Sequence, residues 1–127
     1  MTDLSGRWSG SYCYPGSLEP VAFVADLRDE GGFVSGLIDE DGAGFGRSGR
    51  MHSTLAGRHD GTLLTFTKIY DAHDEVIAPV QYEGLIGDEG HEVGGTWAIA
   101  GDWSGPFVMT RPREHGAKQR AEAGATI

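Results

Sequence analysis

Eight short apolar runs, each closed off by glycine or acidic residues, constrain this chain more than any other feature. They fall at about residues 6–14, 20–29, 33–40, 51–58, 62–70, 76–86, 92–100 and 105–111. Several alternate with period two, the mark of a strand with one buried face. Leu64, Phe66, Lys68 and Tyr70 share one face, with Thr65 and Thr67 on the other. Val80, Tyr82, Gly84 and Ile86 oppose Gln81 and Glu83, and Phe23, Ala25 and Leu27 oppose Asp26 and Arg28. No run sustains a helical period. At 127 residues the chain is one domain, and a single sheet of this size must curl on itself to enclose a core. The pattern predicts an all-β fold, an eight-stranded antiparallel up-and-down meander barrel over residues 1–111. Pro112 ends the sheet, and residues 112–127 read as a tail, disordered or briefly helical.

The connections sort into two kinds. Asp29-Glu30-Gly31-Gly32, Asp60-Gly61 and Gly87-Asp88-Glu89-Gly90 are tight and acidic, and read as hairpin turns with positive φ at glycine. Pro15–Glu19, Asp41–Arg50, Asp71–Glu75 and Gly101–Ser104 are looser. In a meander these two sets lie at opposite ends, so one end is pinched and the other rimmed by loops. The longest rim loop, Gly42–Arg50, has the composition of a lid or of an idle hairpin. Glycine supplies 21 residues with no collagen-like period, which suits turns and crowded barrel positions.

The same composition removes several function classes. Cys13 is the single cysteine, so neither an internal disulfide nor a cysteine metal cluster is possible. No apolar run approaches the ~18 residues of a membrane span, and the start of the chain lacks a basic-then-apolar leader. These features read as a cytoplasmic protein. Residues 1–110 carry 6 basic and 17 acidic residues, a net −11. Such a body repels phosphate backbones and anionic membranes, so neither nucleic acid nor membrane is an expected partner.

Gly6-Arg7-Trp8 opens the first run. Gly32–Ile38, Leu55-Ala56-Gly57-Arg58-His59-Asp60, Tyr82-Glu83-Gly84 and Thr96-Trp97 follow in order, and Arg111 closes the last run. With these motifs the chain resembles the avidin/streptavidin branch of the calycin-type barrels, over about residues 4–111. The resemblance implies that Arg111 packs over Trp8 as a cation–π plug of the narrow end. It also implies biotin as ligand, and here the residues disagree. A buried ureido group needs a ring of polar partners. The family's polar positions fall instead on Gly10, Tyr14, Ile38, Glu40, Ala78, Val80 and the Pro106-Phe107 pair. The aromatic walls are kept in kind by Phe66, Tyr82 and Trp97. The expected ligand is therefore not biotin.

Parity lines the wide end with Tyr12, Tyr14, Phe23, Ile38, Phe66, Tyr82, Trp97 and Phe107, and adds Glu40 and Lys68 near the rim. Three readings stay open for this set. The aromatics fill the barrel as core, with Glu40 and Lys68 as a rim salt bridge. Alternatively they form a binding cup for a small flat molecule, aromatic or carboxylate-bearing, with Lys68 and the tyrosine hydroxyls as its polar contacts. Or Lys68 and Glu40 serve as acid, base or Schiff-base amine beside Tyr12 or Tyr70. The binding cup, holding a small organic molecule without a cofactor, is the reading adopted.

Among the five histidines no metal-ligating spacing occurs. Gly6–Gly10 also matches the Gly-x-Trp-x-Gly start of haem-binding barrels, for which His52 is the one plausible axial residue. Asp39-Glu40-Asp41 reads as a solvated strand end rather than a calcium site. Cys13 has the parity of the outer wall. That wall also carries Val24, Leu37, Leu63, Ile69, Leu85 and Val108, more apolar surface than a monomer usually exposes. A homodimer or higher homo-oligomer is the expected state.

Overall fold

In the computed structural model every predicted run becomes a strand. The structure describes residues 2–17, 19–41, 49–71, 77–99 and 103–112. These residues form β1 (Gly6–Tyr12), β2 (Val21–Glu30), β3 (Phe33–Asp41), β4 (Arg50–Asp60), β5 (Leu63–Tyr70), β6 (Val80–Gly87), β7 (Glu92–Ile99) and β8 (Trp103–Thr110). Each strand pairs antiparallel with the next, and β8 returns to β1 through Ser9↔Thr110 to Tyr12↔Phe107. The result is a closed up-and-down barrel with no free sheet edge. Among the described residues no helix is long and apolar enough to cross a membrane.

Period-two patterning decides which side chains enter. Leu64, Phe66 and Lys68 of β5 are buried, as are Val80, Tyr82 and Gly84 of β6 and Phe23, Ala25 and Leu27 of β2. The interior is crowded where strands bend. A Cβ on Gly57 would stand 1.9 Å from the Thr65 carbonyl oxygen of the neighbouring strand, so only glycine fits.

The tight connections sit at one end. Gly31, Gly32 and Gly61 adopt φ of +64°, +99° and +60°, as the sequence predicts for hairpin turns. The third turn differs. Gly87 keeps an extended φ of −131°, and the left-handed conformation falls on Asp88, Glu89 and Gly90, a single 3-10 turn between β6 and β7. The predicted lid loop, apart from Gly49 and Arg50, and the tail beyond residue 112 lie outside the described residues.

The pinched end is plugged from inside. Trp8 is fully buried and donates its Nε1–H to the Leu4 carbonyl at 2.9 Å. The Arg111 guanidinium stacks 4.7 Å from the Trp8 ring centroid. It donates to the carbonyls of Gly90, Ser5 and Asp3 at 3.1, 2.7 and 2.6 Å. One cation thus ties the leading segment, the third turn and the last strand together. Leu4, which the run pattern omits, is fully buried beneath this cap. Its N–H donates to Asp29 Oδ2 at 2.9 Å, the oxygen that also meets His59 Nε2 at 2.6 Å. Burial alone would raise the Asp29 pKa. The N–H donors of Leu4 and Gly32, with His59, outweigh it and hold the carboxyl below its ordinary value.

Candidate functional site

At the opposite, loop-rimmed end the barrel opens into a cavity of about 340 Å³. Tyr12 and Tyr14 enter from β1 and the residues after it, Tyr70 from β5, and Val80 and Tyr82 from β6 with Ile77 just before it. Trp97 and Ile99 come from β7 and Trp103 from β8. The rings meet edge to face. Tyr12–Tyr14, Tyr14–Trp97 and Tyr14–Trp103 centroids lie 5.6, 5.9 and 5.6 Å apart, at interplanar angles of 83°, 81° and 69°. Such T-shaped contacts satisfy the ring quadrupoles and leave a rigid wall.

Register explains the layer beneath. Phe66 and Tyr82 are directly opposed on β5 and β6, and their rings stack at 4.6 Å and 7°. Phe107 closes on Tyr82 at 4.9 Å, nearly perpendicular. Phe66 and Phe107 were expected to touch ligand. The structure buries them in the core instead, and neither lines the cavity. Phe23 and Ile38 are likewise core.

Glu40 and Lys68 point inward near the ends of β3 and β5, as parity and position required, but neither lines the cavity: Glu40 is 0 % exposed and Lys68 is 1 %. β4 lies between them, with Met51 opposite Glu40 and Leu55 opposite Lys68. The long lysine side chain spans that offset and donates to Glu40 Oε1, while the Tyr12 hydroxyl donates to Oε2. The ammonium also lies over the rings of Tyr70, Tyr12 and Tyr82, at 4.5, 5.0 and 5.8 Å from their centroids. A buried ion pair survives only when its remaining hydrogen-bonding capacity is met, and the tyrosines supply that here. Burial pulls the Lys68 pKa down, and Glu40 opposes the shift. Burial, followed by the Glu40 charge, pushes the Tyr12, Tyr70 and Tyr82 hydroxyls well above their ordinary range, so all three stay protonated. Ser53, between Met51 and Leu55 on β4, has a buried Oγ with no hydrogen-bond partner among the described residues, but it is not part of the wall.

The sequence placed Tyr12, Tyr14, Tyr82 and Trp97 in the cup, and the structure brings these four together around the cavity. Tyr70 joins them, as its parity with Lys68 allowed. Trp103 was missed because it lies on the boundary of a loop and a strand. Its ring contact with Tyr14 depends on where β8 meets β1. Cys13 is half-buried and acts through its backbone: its carbonyl accepts the Trp97 Nε1–H at 3.0 Å. His52 is exposed on the outer face of β4, opposite Asp39, so the haem reading has no axial residue there. Asp39 faces outward and pairs with Arg50 at 2.7 Å while Glu40 faces inward, which splits the acidic triplet across the wall. Among the described residues no cluster of three metal-ligating side chains forms. No protein-family model, characterised protein or solved structure matches this chain.

Proposed function

We propose that this protein binds a small, flat organic molecule, without catalysis, in the open end of the barrel. The cavity carries the proposal. Its ~340 Å³ falls within the range of small-molecule sites, about 300–1,000 Å³. Its wall is an aromatic box with a few polar atoms, the composition expected of a site that gains affinity from apolar contact and orientation from hydrogen bonds. The resemblance to avidin-type barrels points the same way for the fold's use, while the missing polar ring argues against biotin. Acid–base or amine chemistry at Lys68 and Glu40 is disfavoured by the geometry, since the two groups are committed to each other behind the tyrosine rings.

The outer wall supports a homo-oligomer. Leu63, Leu85, Gly94 and Val108 stand in register across β5 to β8, a charge-free row, with exposed Phe33, Leu37 and Ile69 elsewhere on the wall. Native mass spectrometry of gently purified protein tests both readings. A discrete retained mass, released on unfolding, supports the cup, and a dimeric or larger mass supports the assembly. Protein that neither retains a molecule nor binds any of a panel of aromatic compounds would refute the first. A monomer at micromolar concentration would refute the second.

A further inference from the structure

Three rings of the cavity wall stand as a corner. The Tyr12–Tyr14, Tyr14–Trp97 and Tyr12–Trp97 centroids lie 5.6, 5.9 and 6.1 Å apart, at interplanar angles of 83°, 81° and 74°. Planes so nearly perpendicular share no common edge-on direction. A group entering the corner therefore meets at least one ring obliquely or face-on, whatever its path. Trp103 extends the corner toward solvent: it is 53 % exposed and lies 5.6 Å from Tyr14. The Trp97 indole is fixed by its hydrogen bond to the Cys13 carbonyl. An aromatic face is negative, so such a corner attracts positive charge. The other side of the cavity already holds a cation in this way, since the Lys68 ammonium lies over the rings of Tyr12, Tyr70 and Tyr82. Among the described residues no side-chain cation lies over Tyr14, Trp97 or Trp103.

The charge around the open end is negative. Glu19 precedes β2, Asp39 and Asp41 close β3, and Asp71 follows β5. Against these carboxylates stands the guanidinium of Arg50, which pairs with Asp39. The chain as a whole carries −9. Lys68 is neutralised by Glu40, so the buried pair adds no net charge. From this arrangement we infer that the cup takes a flat organic cation whose charge sits on alkylated nitrogen, a quaternary ammonium or an N-alkyl pyridinium-type ring. The inference rests on the binding reading above and names the ligand's chemical class. Alkylation matters because the wall offers rings and few polar atoms. A primary ammonium would give up three hydrogen bonds to water with little to replace them, and a fully alkylated nitrogen has none to give up. A carboxylate would meet negative ring faces and a negative rim. The carboxylate-bearing ligand that the sequence allowed depended on Lys68 reaching the cavity, and Lys68 is held by Glu40. Repulsion from the Lys68 ammonium, though offset by Glu40, places the guest charge on the Tyr14, Trp97 and Trp103 side. The wall's hydroxyls are able to serve any of these ligands, so the selectivity is assigned to ring faces and not to hydrogen bonds.

Three probes of one size test it: 1-methylquinolinium, neutral 6-methylquinoline and quinoline-6-carboxylate. Titrations of the full chain at pH 7 are followed by the indole N–H resonances of Trp97 and Trp103 and by the protons of each probe. We expect saturable shifts with 1-methylquinolinium, at least tenfold weaker binding of 6-methylquinoline, and no saturable response to the carboxylate. The N-methyl protons of the bound cation should move upfield, because the ring currents shield a group held on a ring face. In Trp103→Leu, a half-exposed position, with folding checked by the amide spectrum, the preference for the cation should fall at least threefold. Binding of 6-methylquinoline as tight as that of the cation, or tighter binding of the carboxylate, overturns the inference while leaving the cup intact. A bound N-methyl group without an upfield shift overturns it too. A folded Trp103→Leu protein with the full preference overturns the role of Trp103. If none of the probes moves either resonance, the binding reading falls, and the inference falls with it.

Discussion

Removing one half of the buried ion pair should cost more than removing both. In Lys68→Met the thioether fills the lysine channel, but Glu40 stays at 0 % exposure without its ammonium partner, although Tyr12 still donates to it. Leaving a buried charge without its partner costs about 3–5 kcal/mol. For a domain of this size that lowers the melting temperature by on the order of 15 °C. The double variant Lys68→Met/Glu40→Gln retains a carbonyl acceptor for Tyr12 and leaves no charge, so it should recover to within about 1 kcal/mol of the parent. Urea unfolding at pH 7, with matched m-values, measures both differences. A Lys68→Met protein as stable as the parent at pH 7 would refute the charged pair. So would a double variant no better than the single.

The cap gives a second set of expectations. Arg111→Ala should lose about 2–4 kcal/mol, from one cation–π contact and three charge-assisted hydrogen bonds, partly exposed; amide exchange should speed up at residues 3–5. Arg111→Lys should restore less than half of that, because a single ammonium cannot stack on Trp8 and reach three carbonyls at once; full rescue in denaturant melts would contradict the geometry. Gly57→Ala should be among the most damaging small substitutions, roughly 3 kcal/mol or more, since its methyl would press on the Thr65 backbone rather than on a movable side chain. Asp29 titrates below its ordinary value of 3.8, so its contribution is complete above that pH and is lost as pH falls through the lower native value. Asp29→Asn should therefore flatten the acid limb of the stability profile, and an unchanged limb would show that other carboxylates govern it.

Strand count, meander order and the inward or outward sense of nearly every side chain were legible from local pattern. A period of two needs no knowledge of neighbours: once Phe66 points in, Lys68 and Tyr70 do too. The same logic placed Tyr12, Tyr82 and Trp97 in one cup, whereas the pairing of Trp8 with Arg111 at the other end was what the resemblance to avidin-type barrels implied. Depth along the barrel was not legible, because it depends on stagger between strands. That stagger put Phe66 and Phe107 in the core and set Glu40 opposite Met51 and Lys68 opposite Leu55, within one lysine's reach. Whether two inward charges meet each other or a ligand is a matter of a few ångströms across an intervening strand, and no one-dimensional pattern encodes it. Leu4 and Trp103 are the same case. Each sits outside a regular run, and each is recruited only because closure of β8 on β1 brings distant segments over the two ends of the barrel. Composition and periodicity therefore determined a closed barrel with an aromatic interior. The tertiary structure decided that its two inward charges, Glu40 and Lys68, neutralise each other instead of meeting a ligand.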